Sequence, residues 1–300
     1  MHRDDGRVIV IGDALIDELR DADGSRDFVG GAALNVAVGL ARLGVPTTLL
    51  AMVGDDADGQ SIRLFLDQYG VELLATPGPL GSSRATSDRS AGEPRYIFNA
   101  AAQGRRIVFG DDERLAIADA RLVVVSCFPF DDDEQSAALE DAVANPQRRL
   151  VIDPNPRAGM LHDAGRFVSN FERLGATSLL CKVGDEDADL LYGIDLAQLV
   201  DRLRSAGTAN VLATAGRAGA SVSTVTGTVS RPIVDLPGPV IDTMGAGDAT
   251  LAAAVHAILT GGVPAGDAEW GRLLDEAMLI AALTCRSDGA LLQLPPVVGA

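Results

Sequence analysis

Asp242-Thr243-Met244-Gly245-Ala246-Gly247-Asp248-Ala249-Thr250 leads straight into an apolar stretch that the spacing predicts to be a helix over Ala249–Leu259. Two glycines at the start of a helix leave successive backbone N–H groups free at its positive end, which makes a cradle for an anion. An aspartate in the first turn then stands beside whatever anion is bound. Phosphoryl transfer needs both parts: donors for the charge on the moving group, and a carboxylate to take the proton of an attacking alcohol. The plainer reading is a Gly turn followed by an acid that complements the helix dipole. Taken alone, the run leaves both readings open.

Other nucleotide motifs are excluded by inspection. Gly245-Ala246-Gly247 continues as Asp248-Ala249-Thr250, so the GxGxxG/A dinucleotide fingerprint fails at its last position. A Walker loop needs Gly-Lys-Ser/Thr, and the only lysine, Lys182, is followed by Val183-Gly184. A second glycine-rich run, Gly30-Gly31-Ala32-Ala33-Leu34-Asn35-Val36-Ala37, enters a helix predicted over Ala33–Leu43. A Gly pair permits close approach of a ligand, and Asn35 offers both a donor and an acceptor to a hydroxyl-rich partner. A purely structural turn is the alternative here too.

Around these runs, short apolar strands alternate with helical stretches, as in a largely parallel sheet covered on both faces. Strands are expected at Val8–Ile11, Thr47–Ala51, Leu122–Cys127, Leu150–Ile152, Ser178–Lys182 and Asn210–Thr214. Further helices are expected at Gln60–Tyr69, Asp133–Ala144, Asp185–Leu191, Leu196–Ser205 and Glu269–Thr284, with a hairpin over Ser221–Arg231. Two segments break the alternation: the polar Asp13–Val29, and Ser82–Thr86 with Arg95–Phe98 about the turn-like Ala91-Gly92-Glu93-Pro94. Together they are expected to form a small β flap over the sheet's C-terminal ends, where open α/β folds bind ligands. No internal repeat or linker divides the chain, so a single domain over 1–300 is expected, with lid segments at about 13–30 and 82–102.

Composition narrows the function. The net charge of −17 repels phosphate backbones and anionic surfaces, so neither nucleic acid nor a membrane is an expected partner. No apolar run reaches the roughly 18–20 residues of a membrane span. The charged start Met1–Gly6 does not resemble a signal peptide, and a cytoplasmic location is expected. Cys127, Cys181 and Cys285 lack CxxC spacing and are expected as buried, reduced thiols. Asp131-Asp132-Asp133 reads as a solvated helix start.

Taken in order, the motifs resemble the ribokinase-like, PfkB-group carbohydrate kinases over nearly the whole chain. Gly12-Asp13-Ala14-Leu15-Ile16-Asp17 is similar to the family's first-strand segment, and Gly30-Gly31…Asn35-Val36-Ala37 to its N-terminal signature. Val53-Gly54-Asp55-Asp56-Ala57-Asp58-Gly59 resembles its Gly-Asp-Asp-x-x-Gly turn, and Thr214-Ala215-Gly216-Arg217-Ala218-Gly219 its nucleotide segment. The run through Asp248 resembles its C-terminal signature. The resemblance implies a three-layer α/β/α core with a mostly parallel sheet and a small β-strand lid. It also implies ATP and Mg2+ as cofactors and a small sugar as acceptor.

Roles follow from the same resemblance. Asp248 would be the general base, with the N–H groups of Gly245, Ala246 and Gly247 as the anion hole. Asp13, Asp17, Gly30, Gly31 and Asn35 would hold the sugar, covered by Phe98 and met by Arg157. Thr214, Gly216 and Gly219 would line the ATP site, with Lys182 replacing some phosphate contact. Where the family carries Asn-x-x-Glu, this chain has Gly184-Asp185-Glu186-Asp187. Asp187 would then hold a magnesium-bound water. Asp13…Asp17 and Asp153-Pro154-Asn155-Pro156-Arg157 are most similar to the fructokinase branch, which implies D-fructose phosphorylated to fructose 6-phosphate. Ribose, 2-keto-3-deoxygluconate and nucleosides are the alternative acceptors. A sugar-binding protein that has lost catalysis is the competing class, favoured by Gly184 and opposed by Asp248. Exposed lid edges make a homodimer through the lid a reasonable assembly.

Overall fold

In the run Val8-Ile9-Val10-Ile11 every side chain is fully buried, although successive residues of a strand point to opposite faces. Both faces of this strand must therefore be covered, as in a sheet between two helical layers. The computed structural model describes residues 6–21, 24–88, 95–145 and 149–295. The expected turn Ala91-Gly92-Glu93-Pro94 lies outside the described residues.

The strands are β1 (Val8–Gly12), β2 (Leu15–Asp21), β3 (Gly24–Gly30), β4 (Thr47–Val53), β5 (Glu72–Pro77), β6 (Ser83–Asp88), β7 (Arg95–Phe98), β8 (Leu122–Ser126), β9 (Leu150–Asp153), β10 (Leu180–Gly184), β11 (Val211–Thr214), β12 (Ala220–Ser223) and β13 (Thr228–Arg231). The helices are α1 (Ala32–Arg42), α2 (Ala57–Gln68), α3 (Ala100–Gln103), α4 (Asp111–Asp119), α5 (Asp133–Val143), α6 (Ala164–Gly175), α7 (Asp185–Tyr192), α8 (Leu196–Ser205), α9 (Ala246–Gly261) and α10 (Asp267–Thr284).

Nine strands form the main sheet in the order β13-β12-β11-β10-β9-β8-β1-β4-β5. All pairings from β11 through β5 are parallel, and the β11-β12 and β12-β13 pairs are antiparallel. Val8 and Val10 belong to a core shared with Leu34 of α1, Leu251 of α9 and Trp270 of α10. Ile9 and Ile11 belong to the opposite core, with Ile117 of α4, Leu139 of α5 and Phe167 and Phe171 of α6. Each such buried side chain contributes about 1.5–3 kcal/mol, and the two cores together hold the three layers. Strand β1 lies between β4 and β8, so the chain departs to both sides of it. That is the switch point at which open α/β sheets form a crevice at the C-terminal strand ends.

A separate sheet, β3-β2-β6-β7, is built from the two segments that broke the alternation. Its β3 is exposed over most of its length, which is why Asp13–Val29 shows no apolar periodicity. Arg84 of β6 ties this sheet to the body: it pairs with Asp27 of β3 at 2.9 Å and with Asp58 of α2 at 2.8 Å.

The expected strands and helices recur with shifted ends, and the structure adds β5, α3, α4 and α6. Strand β5 carries Glu72 and ends on Pro77, tolerated because it is the sheet's edge. In α6 Phe167, Phe171 and Leu174 recur at i, i+4 and i+7 with Val168 beside them, so its apolar face follows helical spacing and packs on the opposite core. Asp131 departs from the solvated reading: it is buried and accepts the His162 N–H at 2.6 Å.

Candidate active site

Helix α9 begins earlier than its apolar pattern implies, at Ala246, so Gly247 and Asp248 lie inside its first turn. Gly245 precedes it with a left-handed φ of 76°, and a side chain there would meet the Ala290 carbonyl oxygen at 2.0 Å. Only glycine fits. The first helical bond of this turn is Ala249 N–H to Gly245 O at 2.8 Å, so the N–H groups of Gly247 and Asp248 precede it and are free for a ligand. One expectation is corrected here: the Ala246 N–H donates to the Thr243 carbonyl at 3.3 Å instead of facing an anion.

Asp248 is 7% exposed, on the wall of a cavity of about 850 Å³. Burial pushes its carboxyl up to about 6, against the pull of a hydrogen bond from Asn35 and the charge of Lys182. A base with a pKa close to ambient pH suits proton abstraction.

On one side of Asp248 lie the residues expected to hold an acceptor. Asn35 Nδ2 donates to Asp248 Oδ2 at 2.9 Å, and its buried Oδ1 has no partner. One of its two amide donors is thus given to Asp248, and its carbonyl oxygen is left for a hydroxyl. Asp13 is also engaged: Oδ1 accepts the Ala33 N–H at 2.9 Å and caps α1. Gly31, with φ 111°, lets the chain turn over the Asp13 backbone into α1, and Gly30 leaves room for Asp17, whose Oδ2 would lie 2.3 Å from an added side chain. Burial, and then repulsion from Asp13, raise the Asp17 carboxyl to about 7, with Arg157 opposing and Asp248 adding to the rise. Arg157 is half-buried on the cavity wall, 4.0 Å from the exposed Glu186. Phe98, Asp13, Asp17, Gly30, Gly31 and Asn35 do not line this cavity, although Asn35 bonds directly to Asp248 on its wall. The Phe98 ring packs on Gly159, with Ala102, Cys127 and Met160 nearby, and fixes β7 to the body. The aromatic of β7 that does line it is Tyr96. Strand alternation gives the two rings one face, but only tertiary packing separates their roles.

On the other side, Lys182, Asp187, Thr214, Gly216 and Gly219 all line the same cavity, toward the C-terminal ends of β10 and β11. Gly219, with φ 92°, lies so close to the Arg231 carbonyl that a side chain would meet it at 2.1 Å. Gly184 and Thr214 stand opposite in register, and a side chain at Gly184 would come within 3.3 Å of the Thr214 hydroxyl. The Gly184 N–H donates to Asp187 Oδ2 at 2.7 Å. Burial raises the Asp187 carboxyl, with Lys182 opposing. Lys182 Nζ lies 3.1 Å from Asp153 Oδ2 in a pair almost wholly removed from solvent. Sequence reasoning had not given Asp153 a role of its own. Among the described residues no group of three or more His, Cys, Asp or Glu side chains forms a ready-made metal cage. The Asp187 Oδ1, by contrast, remains available to accept from a metal-bound water.

Comparison with known proteins agrees with this geometry. The sequence model of the pfkB family carbohydrate kinases matches residues 7–295. The chain is 30% identical to a fructokinase of Klebsiella pneumoniae over 97% of its own length and 96% of that protein's. It is 32% identical to a fructokinase of Rhizobium leguminosarum bv. trifolii over 80% and 76% of the two chains. Its fold is similar to that of aminoimidazole riboside kinase from Salmonella enterica, solved with aminoimidazole riboside and an ATP analog, at a TM-score of 0.77, 22% identity and 95% coverage of each chain. No helix among the described residues is long and apolar enough to cross a membrane. With the cradle, the buried carboxylate and the matching family signature in one place, the chain belongs to the pfkB family of carbohydrate kinases and is an ATP-dependent sugar kinase of ribokinase-like fold.

Proposed function

We propose that this kinase transfers the γ-phosphoryl group of ATP to the primary hydroxyl of D-fructose, giving fructose 6-phosphate and ADP. Asp248 takes the hydroxyl proton, the hydroxyl oxygen attacks phosphorus in line, and the bond to the ADP oxygen breaks. The observation that carries the reading is the buried Asp248 at the free N–H end of α9, bonded at 2.9 Å to Asn35 of the acceptor side. Base and anion donors then share one turn of helix, and the acceptor side is tied to them by a direct bond.

Asp17, the free carbonyl of Asn35 and Arg157 hold the acceptor's hydroxyls, while Thr214, Gly216 and Gly219 line the ATP end and Lys182 contributes positive charge. Asp187 would hold a magnesium ion through a bound water, and the ion would supply neutralising charge to the triphosphate. The fructose assignment draws on the two similar bacterial fructokinases and on Asp13…Asp17 and Asp153–Arg157 of this chain. The small sheet acts as a lid. Its edge strands β3 and β7, with Phe28, Tyr96 and Ile97 exposed, support a homodimer formed through it. The free cysteines accord with a cytoplasmic location.

The test is ATP consumption with fructose, ribose, 2-keto-3-deoxygluconate and nucleosides at saturating ATP and magnesium. Fructose should exceed ribose in kcat/KM by at least about tenfold, or about 1.4 kcal/mol. A site that pairs each hydroxyl discriminates in this way because an analogue leaves buried groups unpaired. Equal efficiencies, or preference for another acceptor, would remove fructose and keep the kinase.

A further inference from the structure

Lys182 is the only lysine among 25 lysine and arginine residues. The other 24 are arginine, and this one sits in the middle of β10, 8% exposed, on the wall of the cavity that Asp248 also lines. Its Nζ is 3.1 Å from Asp153 Oδ2 and 3.1 Å from the point where a side chain on Gly247 would begin. Glycine at 247 therefore does more than expose its N–H. It leaves the space through which the ammonium reaches the cradle.

Asp153 is fully buried, and its Oδ1 has no hydrogen-bond partner. An ion pair this deep is a poor source of stability, because the desolvation of both charges offsets their attraction. An orphaned carboxylate oxygen adds a further cost. The pair has another use. An ammonium is a compact charge with three donors, so one bond to Asp153 leaves two for a ligand, where the bulkier guanidinium would press on Gly247.

We propose that Lys182, seated by Asp153, donates to the transferring phosphoryl group in the α9 cradle and offsets the charge that builds on its oxygens. Asp153 is the positioning residue of this couple. Lys182 forms no covalent bond and keeps its three protons while Asp248 takes the hydroxyl proton and the bond to ADP breaks. Lys182 thus places a charged donor at the phosphate end, where Gly184 carries no side chain, in a chain whose net charge is −17. The inference rests on the kinase reading but not on the identity of the sugar.

Three variants and one spectroscopic signal test it. K182M and the double variant K182M/D153N should each lower kcat by about 10²-fold or more, as loss of a transition-state donor does, while KM for sugar and for ATP stays within about threefold. D153N alone should lower kcat by about tenfold, since the ammonium is kept but no longer anchored. K182M strands Asp153 and is expected to unfold at lower temperature, and the double variant should regain that stability without regaining kcat. Recovery of kcat in the double variant would show that Lys182 only neutralises Asp153, and would overturn the proposal. Protein grown with 13Cε-lysine carries one lysine signal. It should shift when ADP and beryllium fluoride are added together, and much less with ADP alone. An unmoved signal with the phosphoryl mimic would overturn the proposal. Because no sugar is present in that experiment, its failure is separable from failure of the fructose assignment.

Discussion

Asn35 Nδ2 and Asp248 Oδ2 are 2.9 Å apart, joining the first turns of α1 and α9 across 213 positions of sequence. The bond steadies the charged form of a carboxylate that burial raises to about 6. Replacing Asn35 with Ala should let the Asp248 carboxyl rise further and, with Asp248 as the proposed base, move the acidic limb of kcat/KM to higher pH. The loss should be larger at pH 6.5 than at pH 8, and about 10–100-fold at its greatest. A pH profile that keeps its acidic limb in place would dissociate Asn35 from the base.

Asp248→Asn removes the proton acceptor but keeps the shape of the first turn. We expect kcat to fall by roughly 10²–10⁴, with ATP binding largely spared. Steady-state kinetics alongside calorimetric ATP titration separates the two effects. Activity within a few-fold of wild type would discard Asp248 as the base.

Asp17 carries a pH signature in the free protein. Its folded carboxyl is raised to about 7 from an ordinary value of 3.8, so the charge it bears at high pH disfavours the folded state. The stability this group contributes is fully present below the unfolded value and is lost as pH rises through about 7. Asp17→Asn should therefore unfold at a higher temperature than wild type at pH 8 and at nearly the same temperature at pH 4. The same variant should raise KM for sugar while leaving ATP affinity nearly unchanged. An ATP affinity that collapsed while sugar affinity held would reverse the two pockets.

Gly245→Ala tests the cradle's backbone. A left-handed φ of 76° and a carbonyl 2.0 Å from the new Cβ leave no room for the methyl group. Backbone strain alone costs about 1–3 kcal/mol, and the displaced N–H groups should lower kcat by about 10²-fold. Gly261→Ala, at the other end of α9 with no atom within 4 Å, is the control and should be near neutral in both respects. Equal effects of the two variants would show that the cradle's geometry does not matter.

Where chemistry resides in contiguous backbone, it was legible in the residues themselves. The glycines and aspartate of 245–248 announce an anion cradle because a helix start is local. The buried strands were legible because Val8-Ile9-Val10-Ile11 and its counterparts are apolar on both faces. Strand β3 was legible only as part of a β flap, since a strand exposed over most of its length has little apolar alternation to read. Helix α6 was legible too, because Phe167, Phe171 and Leu174 stand at i, i+4 and i+7, and its absence from the expected helices reflects a missed reading, not a missing signal.

By itself, then, the sequence determined an α/β kinase, the helix turn proposed for phosphoryl transfer and the order of its motifs. Tertiary structure alone decided which side chains are available there. It gave one Asn35 amide donor to Asp248, committed Asp13 to the start of α1, and turned the Ala246 N–H toward Thr243. It packed Phe98 on Gly159 while Tyr96 reached the cavity, and set Lys182 against Asp153 beneath Gly247. These pairings join residues far apart in the chain. No local spacing encodes them, because a side chain's partners depend on where the strands and helices dock.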